Sequence, residues 1–180
     1  REKGLTRDEV VTRFNLGRVL EKLKDWNAAE QSFNEVLRLS RQIGYTRGEA
    51  YALRGLAQVH NARGNHLDAL GLLERAAGHQ ASTTDEMLRA QILLQRGVAQ
   101  RGLQQPRDSI ETLNAALEVF VKAESVSEIA ATRAELARAL AATGNWKAAY
   151  EQHVQFQTAN DALLQRQLDQ RYAGLTAAKD

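Results

Sequence analysis

Four histidines, His60, His66, His79 and His153, are the side chains in this chain best suited to proton transfer or metal ligation. Neither chemistry finds its pattern. No histidine has another three or four residues away, and no serine or cysteine nucleophile motif accompanies them. Cysteine is absent, which removes disulfides and thiolate ligands. No Walker loop and no dinucleotide fingerprint is present. His66 and His153 stand where other segments place an aromatic residue or leucine, so both read as packing residues, as do Trp26 and Trp146. The chain is expected to be no enzyme, with no catalytic residue, no metal and no cofactor.

Arginine is the remaining carrier of chemistry, because its planar fork holds carboxylates bidentately. Arg13, Arg18, Arg54, Arg96, Arg101, Arg133 and Arg138 all fall in the first helices of the pattern described next. Glu21, Glu49, Glu86, Glu128 and Glu135 share those helices and interrupt the stripe. The formal net charge is only +2, although the pI is about 9.1. A nucleic-acid footprint needs cations clustered on one face, so DNA or RNA is not an expected partner.

The elements that must position these side chains repeat at a spacing of 40 residues, from Gly17 to Ala57, Gly97 and Ala137. In the same register come Trp26, His66, Pro106 and Trp146, then Ala29, Ala69, Ser109 and Ala149, then Phe33, Leu73, Leu113 and His153. Such a period implies a stacked array in which each unit touches its neighbours. One proline in 180 residues and little β-branched alternation point to an all-α chain. No apolar run reaches the roughly 18–20 residues needed to span a bilayer, and no signal-peptide pattern opens the sequence. The start at Arg1 and the single Met87 suggest a segment of a longer protein.

Each unit opens with Ser or Thr three residues before Glu: Thr6 with Glu9, Thr46 with Glu49, Thr83 with Glu86, Ser125 with Glu128. That is a capping-box pattern. Asp25, Asn65 and Asn145 are N-cap residues for the second helices, and Pro106 suits a first helical position. Gly64 and Gly144 mark the turns. The pattern predicts helix pairs over 8–23 and 26–42, 48–63 and 66–78, 85–103 and 106–123, and 127–143 and 146–173. The small residues let paired helices approach closely. Leu16, Leu20, Phe33 and Leu37, then Leu56, Leu70 and Leu73, Leu113 and Leu117, and Leu136, Leu140 and Phe156 fill the seam.

Leu16-Gly17, Leu20, Trp26, Ala29, Phe33 and Val36 resemble the tetratricopeptide repeat. Leu56-Ala57, Gly64, Ala69 and Ala76 repeat the order, as do Leu136-Ala137, Gly144, Trp146 and Ala149. The third unit is degenerate, with Arg96 before Gly97 and Pro106 for the aromatic. A unit of 40 residues exceeds the family's usual length of about 34. HEAT and armadillo units share the longer period and stand second, since they lack this order of small residues.

The resemblance implies an all-α, right-handed α-solenoid of four helix-turn-helix repeats over 1–180, at about 6–44, 45–83, 84–124 and 125–163. A long C-terminal helix, about 146–175, would cap the array or continue as a connector, with Leu164, Leu168, Tyr172 and Leu175 as its apolar stripe. It also implies a concave face lined by first helices. By register this face holds Val11, Phe14, Arg18 and Glu21; Tyr51, Arg54, Gln58 and Asn61; Gln91, Leu94, Val98 and Arg101; and Ala131, Ala134, Arg138 and Ala141. Phe14, Arg18, Tyr51, Arg54, Gln58, Asn61, Gln91, Arg101 and Arg138 are the expected partner-binding residues, suited to a peptide of some acidic character. The family's basic clamp for a chain-terminal carboxylate has no counterpart.

The long last helix is similar to tetratricopeptide sensor regions of bacterial signalling proteins, which precede a diguanylate cyclase (GGDEF) or histidine kinase domain. On that resemblance the chain is a protein-binding regulatory domain, cytoplasmic with the periplasm also open, and it forms a homodimer through the C-terminal helix. The alternatives are a stand-alone scaffold or adaptor and a small-molecule sensor.

Overall fold

The computed structural model describes residues 6–81 and 84–177, and among these every regular element is a helix. Helices α1 (Arg7–Lys22) and α2 (Trp26–Gln42) form the first pair, and α3 (Thr46–Ala62) and α4 (His66–Gln80) the second. Helices α5 (Glu86–Gly102) and α6 (Pro106–Lys122) form the third, and α7 (Val126–Ala142) and α8 (Trp146–Ala177) the fourth. Each packs on the next in sequence, and first helices also meet across pairs: α1 on α3, α3 on α5, α5 on α7. The architecture is an α-solenoid of four helix pairs with a long last helix. No helix among the described residues is long and apolar enough to cross a membrane.

Helix starts follow the capping signals in part. The Thr6 hydroxyl accepts from the Glu9 N–H at 3.3 Å, and the Asp25 and Asn145 side chains accept from Ala28 and Ala148 at 3.1 and 3.3 Å. Pro106 opens α6. Thr46 is not a cap: it is the first residue of α3, behind Tyr45, because the turn at Gly44 closes one residue earlier. Ser125 holds the cap position of α7 without a side-chain bond. Thr83 lies outside the described residues, and α5 is capped by Asp85, which accepts from the Leu88 N–H at 3.0 Å.

One turn geometry recurs six times. Residues 24, 44, 64, 104, 124 and 144 all have left-handed φ, between 52° and 81°. The following N–H reaches back five residues, as from Asp25 to Leu20, Asn65 to His60 and Asn145 to Leu140. This six-to-one bond satisfies carbonyls that the helix end would leave orphaned. Gly64 and Gly144 take the conformation freely, whereas Lys24, Gln104 and Glu124 adopt it with a Cβ.

Close approach dictates the packing. The buried Phe33 ring lies between α1 and α3, where a Cβ on Gly17 would come within 2.7 Å of it and one on Gly55 within 2.8 Å. Leu113 seats the same way against Gly97, whose added Cβ would be 2.5 Å away. Ser109, at the position otherwise held by alanine, is buried and donates its hydroxyl to the Gly97 carbonyl at 2.7 Å. Burial of a side chain such as Phe33 contributes about 1.5–3 kcal/mol.

The two ends depart from the register. Leu16, expected in the core, is 54% exposed, while its equivalents Leu56 and Leu136 are buried. Inner first helices are covered by the second helix of the preceding pair, and no described element lies before α1. At the other end Trp146 is 69% exposed and His153 is also exposed, so neither packs as expected. His66 does pack, with its ring against Gly102 and its Nδ1 3.1 Å from the Asn61 Oδ1. Beyond the reach of α7, α8 runs on with Leu164, Leu168 and Tyr172 exposed rather than folding back. The Leu175 side chain falls outside the described residues.

Two outcomes follow. Gly17→Leu overpacks the Phe33 seam and costs about 1–3 kcal/mol, read as a lower urea midpoint. Asp85 carries the α5 cap, accepts from the Tyr51 hydroxyl at 2.9 Å and pairs with Arg47 at 2.7 Å. Burial opposes its ionisation, but the Leu88 N–H, Tyr51 and Arg47 outweigh that and hold its pKa below the ordinary 3.8. Its stabilisation is therefore complete above the unfolded value and is lost as pH falls through the lower folded one. Urea midpoints of wild type and Asp85→Asn should differ at neutral pH, begin to converge below about pH 4 and meet only below the lower folded value.

Candidate functional site

First helices α1, α3, α5 and α7 lie side by side, so the residues they turn away from their own second helices share one face, the one expected to be concave. Two adjoining clefts open there. The first, about 280 Å³, is lined by Val10, Phe14 and Val36, by Tyr45 and Tyr51, and by Arg18, Arg47 and Arg54, with Gln91 at its edge. The second, about 190 Å³, runs on past Arg18, Glu21, Arg54, Gln58 and Gln91 to Gln95 and Glu128. Arg18, Arg54 and Gln91 border both. The first cleft is aromatic and cationic, the second polar.

Arg54 is the centre of this face. Its side chain is only 7% exposed, and its guanidinium carbon lies 5.7 Å from the centroid of the Phe14 ring, a cation–π distance. Nη1 donates to Gln58 Oε1 at 2.8 Å, and Gln58 in turn donates to Glu21. Burial pushes the Arg54 pKa down, against the attraction of Glu21. Burial likewise raises the Glu21 pKa, offset by Arg54 and Arg18. Arg54 Nε, Glu21 Oε2 and Gln91 Oε1 are buried with no partner in the protein. A desolvated charge with an unfilled donor costs free energy in the isolated chain and rewards a ligand that fills it.

The rim is made by Tyr51, Asp85 and Arg47. The Tyr51 hydroxyl donates to Asp85, and Arg47 stacks 5.7 Å over the Tyr51 ring while pairing with Asp85. Burial raises the Tyr51 pKa, with Arg47 acting against it. Phe14 meets Tyr51 edge-on with ring centroids 5.2 Å apart, which fixes one wall of the first cleft.

The structure thus brings Phe14, Arg18, Tyr51, Arg54, Gln58 and Gln91 together. It places the other three elsewhere. Asn61 is buried and donates to the Gln95 carbonyl and Oε1, so its amide joins α3 to α5. Arg101 pairs with Glu135 at 2.9 Å, and Arg138 pairs with the same carboxylate. Arg138 borders a separate cleft between α7 and α8, with Ala134 and Ala141. Tyr45 and Arg47 enter the site from outside the register positions. They lie at the start of α3, a turn earlier, and the four-residue spacing of Arg47 and Tyr51 is their only sequence signal. Among the described residues no three His, Asp or Glu side chains converge as metal ligands would.

Comparison with known proteins agrees with this geometry. A family profile described as tetratricopeptide repeat matches residues 8–80. No curated protein sequence matches the chain. Among solved structures, BtubC (BKLC) from P. vanneervenii is similar at a TM-score of 0.66 and 14% identity, over 86% of this chain. The chain spans 64% of the length of BtubC. The nearly identical TPR-like repeats of a putative kinesin light chain from Podosopora anserina are similar at a TM-score of 0.56 and 19% identity, over 89% of this chain and 79% of that one. A substituted form of those repeats gives a TM-score of 0.59 at 20% identity, over 92% and 80%. At these identities the solved structures speak for the fold alone. Residues 8–80 thus match the tetratricopeptide repeat, and the same helix-pair architecture runs on through α8.

Proposed function

We propose that the chain is a non-catalytic protein-binding module that takes an acidic peptide segment on its concave face. The observation that carries this reading is Arg54: a guanidinium nine-tenths buried that borders both clefts beside the exposed Arg18. A ligand carboxylate at that point gains a charge-assisted hydrogen bond in a dry setting. Arg18 adds a second cation on the exposed side, and Phe14, Tyr45 and Tyr51 offer an aromatic wall for an adjacent apolar side chain.

The finer reading is that the module regulates a larger bacterial signalling protein, with a diguanylate cyclase as one candidate output and a cytoplasmic setting. The uncovered Leu164 and Leu168 on α8 support a connector that pairs with another helix, in an output domain or in a second copy. A stand-alone scaffold uses the same groove without a fused output. The first cleft, with its aromatic wall, keeps a small-molecule sensor as the remaining alternative.

Binding of acidic and basic peptide sets, followed by fluorescence anisotropy at two salt concentrations, tests the groove. Acidic peptides should bind and weaken with salt. Arg18→Glu should cost about tenfold, and Arg54→Met about 30-fold or more with helicity retained. Arg138→Glu should leave binding unchanged. Equal binding of acidic and basic sets, or full binding by Arg54→Met, would sink the assignment.

A further inference from the structure

Glu21 puts a negative charge where an acidic guest would bring its own. It lies in the last turn of α1, inside the joint with α3, and lines the second cleft together with Arg18, Arg54 and Gln58. Glu21 Oε1 accepts from the Gln58 amide, whose oxygen in turn accepts from Arg54 Nη1 at 2.8 Å. One carboxamide therefore stands between acid and base, held in a single orientation by a charge at each end. Glu21 Oε2 is buried with no partner in the protein.

The cations acting on Glu21 are Arg54 from α3 and Arg18 and Lys22 from its own helix. To the same cleft α5 adds Gln91, Leu94 and Gln95, none of them charged, α7 adds Glu128, and α2 adds no residue. The three cations only partly offset the loss of hydration, so burial leaves the Glu21 carboxyl easier to protonate than an ordinary one. A guest carboxylate drawn to Arg18 and Arg54 arrives beside it, because those two side chains border both clefts. Two carboxylates that share one set of cations repel, and one of them then takes up a proton more readily than it would alone. The guest lies on the open side and keeps its charge; the acid already desolvated is the one that protonates.

Resting on the acidic-guest reading above, we propose that Glu21 is the groove's internal competitor for its cations, so that an acidic guest binds with uptake of a proton at Glu21. A proton from solvent adds to Oε2, the oxygen without a partner. The Gln58 bond to Oε1, and with it the bond from Arg54 to Gln58, survives the change. Ionised, Glu21 keeps Arg18 and Arg54 partly neutralised. Protonated, it leaves both to the guest while the geometry of the site is kept.

Anisotropy titrations of wild type and Glu21→Gln with an acidic peptide, between about pH 8 and about pH 5, test the proposal. The peptide's own carboxylates stay largely ionised over that range. Glu21→Gln matches the acid in shape and keeps an oxygen for Gln58, and circular dichroism checks its fold. At about pH 8 it should bind about tenfold more tightly than wild type. Wild-type affinity should climb as pH falls, until the gap between the two closes. The four histidines charge over the same range, but they do so in both forms, so the gap reads Glu21 alone. Calorimetry in two buffers of different ionisation enthalpy should show more proton uptake on binding by wild type than by the variant. Equal affinities at every pH, weaker binding by Glu21→Gln, or equal proton uptake would overturn the proposal and leave the groove in place. Absence of acidic-peptide binding by either form would overturn the groove reading and this one with it.

Discussion

How closely two helices may approach is the constraint on which this molecule depends. Phe33 is buried only because Gly17 and Gly55 leave room on both sides, and Leu113 depends on Gly97 in the same way. A single side chain thus sets the distance within one pair and between that pair and the next. Since first helices are spaced by these contacts, the concave face inherits its dimensions from residues that never reach it. Stability in such an array is a sum of local units and neighbouring joints, so damage at one joint is felt nearby rather than everywhere.

Against this apolar seam, the concave face holds a different kind of order. Arg54, Gln58 and Glu21 form a relay in which charge is shared through an amide instead of a direct ion pair. The arrangement leaves each charged group short of one partner, and burial works against both. The Tyr51–Asp85–Arg47 set at the rim is the opposite case, with every group engaged and Asp85 also closing the start of α5. One set holds α3 against α5; the other leaves Arg54 Nε and Glu21 Oε2 without partners in the protein.

Much of the fold was legible because its signals are local and recur. The positions of the turns, the helix pairs and the roles of Gly17, Gly97, Ala29 and Ala69 follow from spacing, since helix geometry allows few solutions for such a pattern. The helix caps were less so: Thr46 resembled a cap, but the tight turn at Gly44 set the start one residue earlier. The ends were misread for a single physical reason. Register assigns Leu16, Trp146 and His153 to a core, yet burial depends on a neighbouring pair that their own segments do not encode. In the site, register identified Phe14, Arg18, Tyr51 and Arg54 as neighbours. It gave no warning that Arg54 would be desolvated, that Asn61 would be spent joining α3 to α5, or that Arg101 and Arg138 would share Glu135.

The six identical turns have a further meaning for recognition. Six of the seven connections are reduced to a left-handed residue and a cap, so at those six no long loop is available to reshape around a guest. Whatever lies across the shared face is read by rigid helices set about 8–10 Å apart. An extended chain advances about 3.3 Å per residue, so it passes from one first helix to the next every three residues or so. On the proposed function the array would act as a ruler, distinguishing guests by the interval between their side chains as much as by what those side chains are.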